Sequence, residues 1–119
     1  MQAGRLNRKI SIERRRDVSD DHGQPIPSWQ RIGTTRWADR IPVSGTERFT
    51  SDQFIGREQV EFHVRWTKDI SDLSPMDRVV YPPTPLELVP DSRIYDIMAV
   101  HEIGWRDGLR IMAARRAET

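Results

Sequence analysis

Val60-Glu61-Phe62-His63-Val64-Arg65-Trp66 alternates apolar and polar side chains with a period of two. In an extended chain this sets Val60, Phe62, Val64 and Trp66 on one face and Glu61, His63 and Arg65 on the other, which is the pattern of a half-buried strand. Such a strand needs neighbours to complete its core, and the flanking sequence supplies them.

Upstream, Lys9-Ile10-Ser11-Ile12-Glu13 repeats the alternation, with Ile10 and Ile12 on the core side. Asp17 to Pro25 is rich in turn formers and reads as a loop closed by Pro25 and Pro27. Trp29 and Ile32 open a second extended region, broken at Gly33 and resumed from Thr34 to Ile41. There Trp37, Asp39 and Ile41 share a face, and the indole predicts that this face is inward. Pro42 lacks a ladder donor and ends the strand or confines it to an edge.

Between these strands lies Ser44 to Gly56. Ser44 reads as a helix N-cap, with Glu47 completing a capping box: hydroxyl to the third amide, carboxylate back to the cap amide. A short helix from Gly45 to about Phe54 follows, closed by Gly56. Phe49 and Phe54 stand about 140° apart around such a helix and form no single apolar stripe, so it is expected either to be ordered by a neighbour or to remain mobile.

Downstream, Met76 and Val79-Val80-Tyr81 suggest a further strand. Pro82 to Pro90 carries four prolines in nine residues and reads as an extended surface excursion, not a central strand. Arg93 to Val100 is apolar on both faces, including Ile97, and predicts a covered central strand. A turn through Gly104 and Asp107-Gly108 leads to the strand of Leu109 and Ile111, so the last two strands form a hairpin. The expected fold is mainly β, a small antiparallel barrel or sandwich of five to seven strands with one short helix, at residues 44–56, between the second and third main strands. Residues 1–119 form one domain, with a proline-rich excursion at 82–92. The core anchors are Ile10, Ile12, Trp37, Val60, Phe62, Val64, Trp66, Ile97, Leu109 and Ile111, and all four tryptophans are expected in the core.

Composition narrows the chemistry. No cysteine is present, which excludes disulfide frameworks and thiolate metal sites. No apolar run approaches the ~20 residues of a membrane span, and a soluble protein is expected. The formal net charge is +1, too small a field for a dedicated phosphate binder. Basic residues gather near both ends, at Arg5, Arg8, Lys9 and Arg14 to Arg16 and at Arg106, Arg110, Arg115 and Arg116. Solvated strand faces explain such a layout, and pairing with acidic patches on neighbours is the alternative.

Catalytic and metal readings find little support. Asp20, Asp21 and His22 have ligand chemistry but are adjacent on one loop, where side chains do not readily converge on an ion. His63 sits on the polar face of its strand. His101-Glu102 could exchange protons, yet no nucleophile or oxyanion site accompanies the pair. No glycine pattern matches a dinucleotide fingerprint or phosphate loop. No enzyme, metal or cofactor is expected, and a small-barrel nucleic-acid-binding module stays open as the alternative to a structural role.

The ordered features Gly4-x-Leu6, the Ile10/Ile12 strand, the Asp-rich turn with Gly23, Trp29, Trp37-Ala38, Ser44-Gly45-x-Glu47, the Val60 to Trp66 strand, Arg78-Val79-Val80, Ile94-Tyr95-x-Ile97 and Leu109/Ile111 resemble the head-tail joining family of tailed bacteriophages. These are head-closure, or stopper, proteins, also found in gene transfer agents. The resemblance spans about Gly4 to Ala114 and implies a β-barrel protomer, non-enzymatic, in a homo-oligomeric ring of six or twelve. It further implies portal or adaptor proteins on the head side, a tail terminator or tail tube protein on the other, and double-stranded DNA passing without sequence specificity. Assembly would take place in the bacterial cytoplasm, with no membrane partner. By position, the family's channel loop corresponds to Ser44 to Gly56, with Ser44, Gly45, Glu47, Arg48, Phe49, Gln53 and Phe54 at the channel or subunit interface. The family turns tightly where this chain carries Pro82 to Ser92.

Overall fold

Alternation at Val60 to Arg65 becomes strand β4 (Gln59–Arg65) of a computed structural model that describes residues 6–43, 57–85 and 88–116. The other strands are β1 (Arg8–Ser19), β2 (Pro25–Arg31), β3 (Arg36–Pro42), β5 (Asp77–Val80), β6 (Ile94–Ile103) and β7 (Gly108–Arg115). All pair antiparallel in one seven-stranded sheet, ordered β2-β1-β3-β4-β7-β6-β5. A further pairing of β5 with β1 brings six strands into a ring. The ring is irregular, broken by a bulge between Ile97 and Ala99 and by the shortness of β5.

The core follows from register. Ile12 lies opposite Val79, Val64 opposite Ala38 and Leu109, and Phe62 opposite Ile111, so the buried face of each strand meets that of its neighbour. Ile10, Ile12, Val60, Phe62, Val64, Ile97, Leu109 and Ile111 are all buried. Tyr95 meets the Phe62 ring edge-on at 5.2 Å between centroids.

Trp37 corrects the expected face of β3: its side is 53% exposed while Ala38 is wholly buried. Pairing Ala38 with Val64 and Arg40 with Phe62 commits the even-numbered residues to the interior. The indole is left outside, with the Lys9 ammonium 4.9 Å from its centroid. Nor do the other tryptophans enter the buried core. Trp66 is half-buried against it, Trp29 lies under the Arg78 guanidinium, and Trp105 is 82% exposed.

Three further expectations change. The stretch read as a loop from Asp17 to Pro25 narrows to a turn at residues 20–24: Asp17 to Ser19 extend β1, and Pro25 and Pro27 lie in β2, which among the described strands pairs with β1 alone; an edge strand tolerates missing donors on its open side. Ser11 and Glu13 are buried, not solvated. Glu13 accepts from Arg78 Nε at 2.7 Å, and the outer seam there also buries Val80 and Ile94. The connection after β5 is anchored beside that seam at Thr84, whose carbonyl accepts from Arg31 and whose hydroxyl accepts from Arg93. Bends and a 3-10 turn at Asp91–Arg93 replace a fully extended excursion. Among the described residues helix is confined to short 3-10 turns, and the helix expected over residues 44–56 lies outside them.

Gly33 and Gly23 both adopt left-handed backbone, with φ of +65° and +79°. A β-carbon on Gly33 would lie 2.8 Å from the Asp69 carboxylate that pairs with Arg36, whereas one on Gly23 meets nothing within 4 Å. Gly23→Ala should therefore cost about 1 kcal/mol, and Gly33→Ala roughly 1 kcal/mol more, measured by urea unfolding.

Candidate assembly site

β3 ends at Pro42 and β4 begins at Gln59, and the described residues that flank positions 44–56, the two stems, are held at one end of the strand ring. Val43 N–H donates to the Gln59 carbonyl at 3.2 Å, joining the stems directly. Arg57 fastens the second stem to the body. Its guanidinium donates to the carbonyls of Ala114 and Arg115, each at 2.8 Å, and to Asp96 at 2.8 Å. Arg116 also reaches Asp96, at 2.8 and 3.2 Å, so one carboxylate holds two guanidiniums. A second chain of contacts runs from Arg40 to Glu58 at 2.6 Å and from Glu58 to Arg115 at 3.3 Å. Arg8 donates to the Tyr81 hydroxyl, over whose ring Arg40 lies.

This neck is structurally committed. Burial by itself would raise the Asp96 pKa, but hydrogen bonds from Arg116 and Arg57 outweigh it and hold the carboxyl below its ordinary value of 3.8. The described contacts at this end join Arg40, Arg57, Arg115 and Arg116 with Glu58, Asp91 and Asp96, and Arg8 with the Tyr81 hydroxyl.

Sequence reasoning locates the segment but not its fastening. Arg57 and Ala114 are 57 residues apart and Arg57 and Asp96 are 39 apart, so no local spacing announces either contact. The residues placed by resemblance at the channel, Ser44, Gly45, Glu47, Arg48, Phe49, Gln53 and Phe54, lie outside the described residues.

Other candidate chemistry is used locally. Asp20 Oδ1 accepts from the amides of His22 and Gln24, each at 2.8 Å, which fixes the β1–β2 turn. Glu102 accepts from the Arg106 amide in the β6–β7 turn, leaving His101 exposed beside a carboxylate already engaged. His63 Nε2 lies 3.8 Å from Glu61, which also faces Arg110. Among the described residues, no three His, Asp or Glu side chains gather as a metal site, and no helix is long and apolar enough to cross a membrane.

The described residues thus form a small antiparallel sheet with a fastened neck at one end. The pattern of the phage head completion protein family matches residues 1–116, and the chain belongs to that family of structural phage head proteins. It is similar over 100% of both chains to protein SF1141 from Shigella flexneri 2a, known from a solution structure, with a TM-score of 0.71 and 25% identity. It is also similar to a chain in the virion of a native gene transfer agent particle, with a TM-score of 0.60 and 26% identity over 97% of this chain and 98% of that one. No curated protein is significantly similar to it.

Asp96 gives this neck a measurable acid response. Its depressed pKa contributes stability that is fully present above the unfolded value and is lost as pH falls through the folded one. Asp96→Asn should lose about 2 kcal/mol at pH 7, and its stability should fall less steeply than wild type below about pH 4. Urea unfolding at several pH values measures both.

Proposed function

We propose that this chain is a head-closure subunit. Copies form a ring of six or twelve between the portal or adaptor of a phage-like head and the tail terminator or tail tube. Double-stranded DNA passes through the ring without sequence specificity, and residues 44–56 help retain it after packaging. The observation that carries this reading is the neck: the residues flanking positions 44–56 are joined to each other by Val43 and Gln59, and Arg57 staples the second of them to β7 and β6. A segment held in this way can bear load at its base while its tip engages neighbours or polymer. The weak net charge suits a channel that must let DNA slide, since dense phosphate contacts would resist passage.

Exposed indoles beside cations, Trp37 with Lys9 and Trp105 with Arg106, favour one other reading, a free-standing nucleic-acid-binding module. One lies in β3 and the other in the β6–β7 turn, and the net charge of +1 gives little pull on phosphates, so the connector reading is preferred. A salt-dependent mobility shift with the isolated chain separates the two: tight oligonucleotide binding supports the module and its absence supports the connector.

Replacing residues 44–56 by a short Gly/Ser linker between Val43 and Arg57 should leave the sheet folded, with unchanged circular dichroism. Particles carrying this variant should lose DNA or fail to take tails. Recovery of DNA-filled, infectious or transducing particles would overturn the assignment.

A further inference from the structure

Beyond Arg14, strand β1 leaves the ring and continues with β2 as a projecting two-stranded arm. Pairings of β1 with β5 end at Arg14 opposite Asp77, whereas those with β2 run on to Ser19 opposite Pro25. Two backbone bonds fix the phase of the arm. Ile32 N–H donates to the Ile12 carbonyl and Asp20 N–H to the Gln24 carbonyl, so even-numbered residues of β1 bond across to β2. Odd-numbered residues point the other way, as Ser11 and Glu13 do toward β5. Arg15, Asp17 and Ser19 therefore turn their amides and carbonyls to an edge on which no described strand lies.

The arm's two edges are not equivalent. On β2, the residues opposite Ser19 and Asp17 are Pro25 and Pro27, which lack the amides that would face outward from that side. The β1 edge keeps all its outward donors at Arg15, Asp17 and Ser19 and is the better acceptor of a further strand. Space lies along it: a cleft of about 500 Å3 is lined by Arg14, Arg15, Asp17, Asp72, Met76 and Asp77. Arg15 and Asp17 project from one face of β1 and Arg14 from the other, so the cleft follows the strand's edge and not a face. Arg14 holds the far wall in place through Asp72 and Asp77, at 2.9 and 3.0 Å.

We propose that this edge receives the open edge of β6 from a second copy of the chain, joining copies through a shared sheet. The inference rests on the ring reading, because a closed ring joins two different patches of each copy. Strand β5 covers β6 only from Ile94 to Asp96, so on that side Ile97–Ile103 carry no described strand. Both stretches keep main-chain donors and acceptors free of a described strand, the β1 edge at Arg15, Asp17 and Ser19 and the β6 edge along Ile97–Ile103, so each edge supplies what the other lacks. The contact adds main-chain hydrogen bonds between copies without needing an apolar interface.

The chain's lack of cysteine makes a direct test clean. Full-length Ser19→Cys and His101→Cys chains are mixed and joined with a short bifunctional thiol reagent, with thermal unfolding confirming that each is folded. Ser19-to-His101 products should dominate over either self-coupled product. Adding Asp17→Pro to the first chain removes an outward amide at a position that makes no bond across the arm, and should cut the yield about tenfold, while Asp17→Asn should not. Equal coupling of all pairs, dominant Ser19-to-Ser19 coupling, or indifference to Asp17→Pro overturns the proposal. Electron microscopy of the unmodified assembly distinguishes the two levels. Closed rings without the cross-link sink the edge contact alone, and the cross-link in open filaments sinks the ring.

Discussion

Strand β1 closes the structure because it is paired on both edges at once. It takes β3 and then β2 along one side and β5 along the other, and at Glu13 and Arg14 it carries both neighbours. The seam is reinforced on its outer face by the Glu13–Arg78 pair, with the guanidinium 4.0 Å from the Trp29 ring centroid. Such a pair adds little net stability relative to an apolar match, but removing one partner leaves a buried charge and typically costs about 3–5 kcal/mol. Its value is specificity of register: sliding β5 by one residue would turn Arg78 into the core and Val79 out of it.

That closure divides the molecule into two working ends. At one, arginines fasten the stems of residues 44–56 to carbonyls of the last strand. At the other, β1 outruns its partners and becomes an arm. The sheet between them is a spacer with a well-packed centre, and the family's role in completing phage heads fits a subunit whose business lies at its extremities.

Much of the fold is legible in the sequence because its strands obey a simple period. Val60 to Arg65 shows the alternation without ambiguity, and the Gly104 to Gly108 turn announces the final hairpin. The outward face of Trp37 is not legible because β3 has no clean alternation: Ala38 and Arg40 face inward, and neither looks like a core residue in sequence. Burial of Ser11 and Glu13 is equally hidden, since Arg78, which makes a buried Glu13 tolerable, stands 65 residues away. The place of the neck is legible through its flanking strands, but its fastening depends on Arg57 meeting carbonyls of β7 across the fold. Contacts of that kind have no local signature.

The neck also has a mechanical meaning. Both stems continue as strands running away from this end along the body, β3 against β1 and β4 against seven residues of β7. Tension on the segment is therefore directed along strands and loads their cross-strand hydrogen bonds together, in shear, where a pull across the sheet would unzip them one after another. Arg57 widens the load path by carrying part of the force into the backbone of β7 and, through Asp96, into β6.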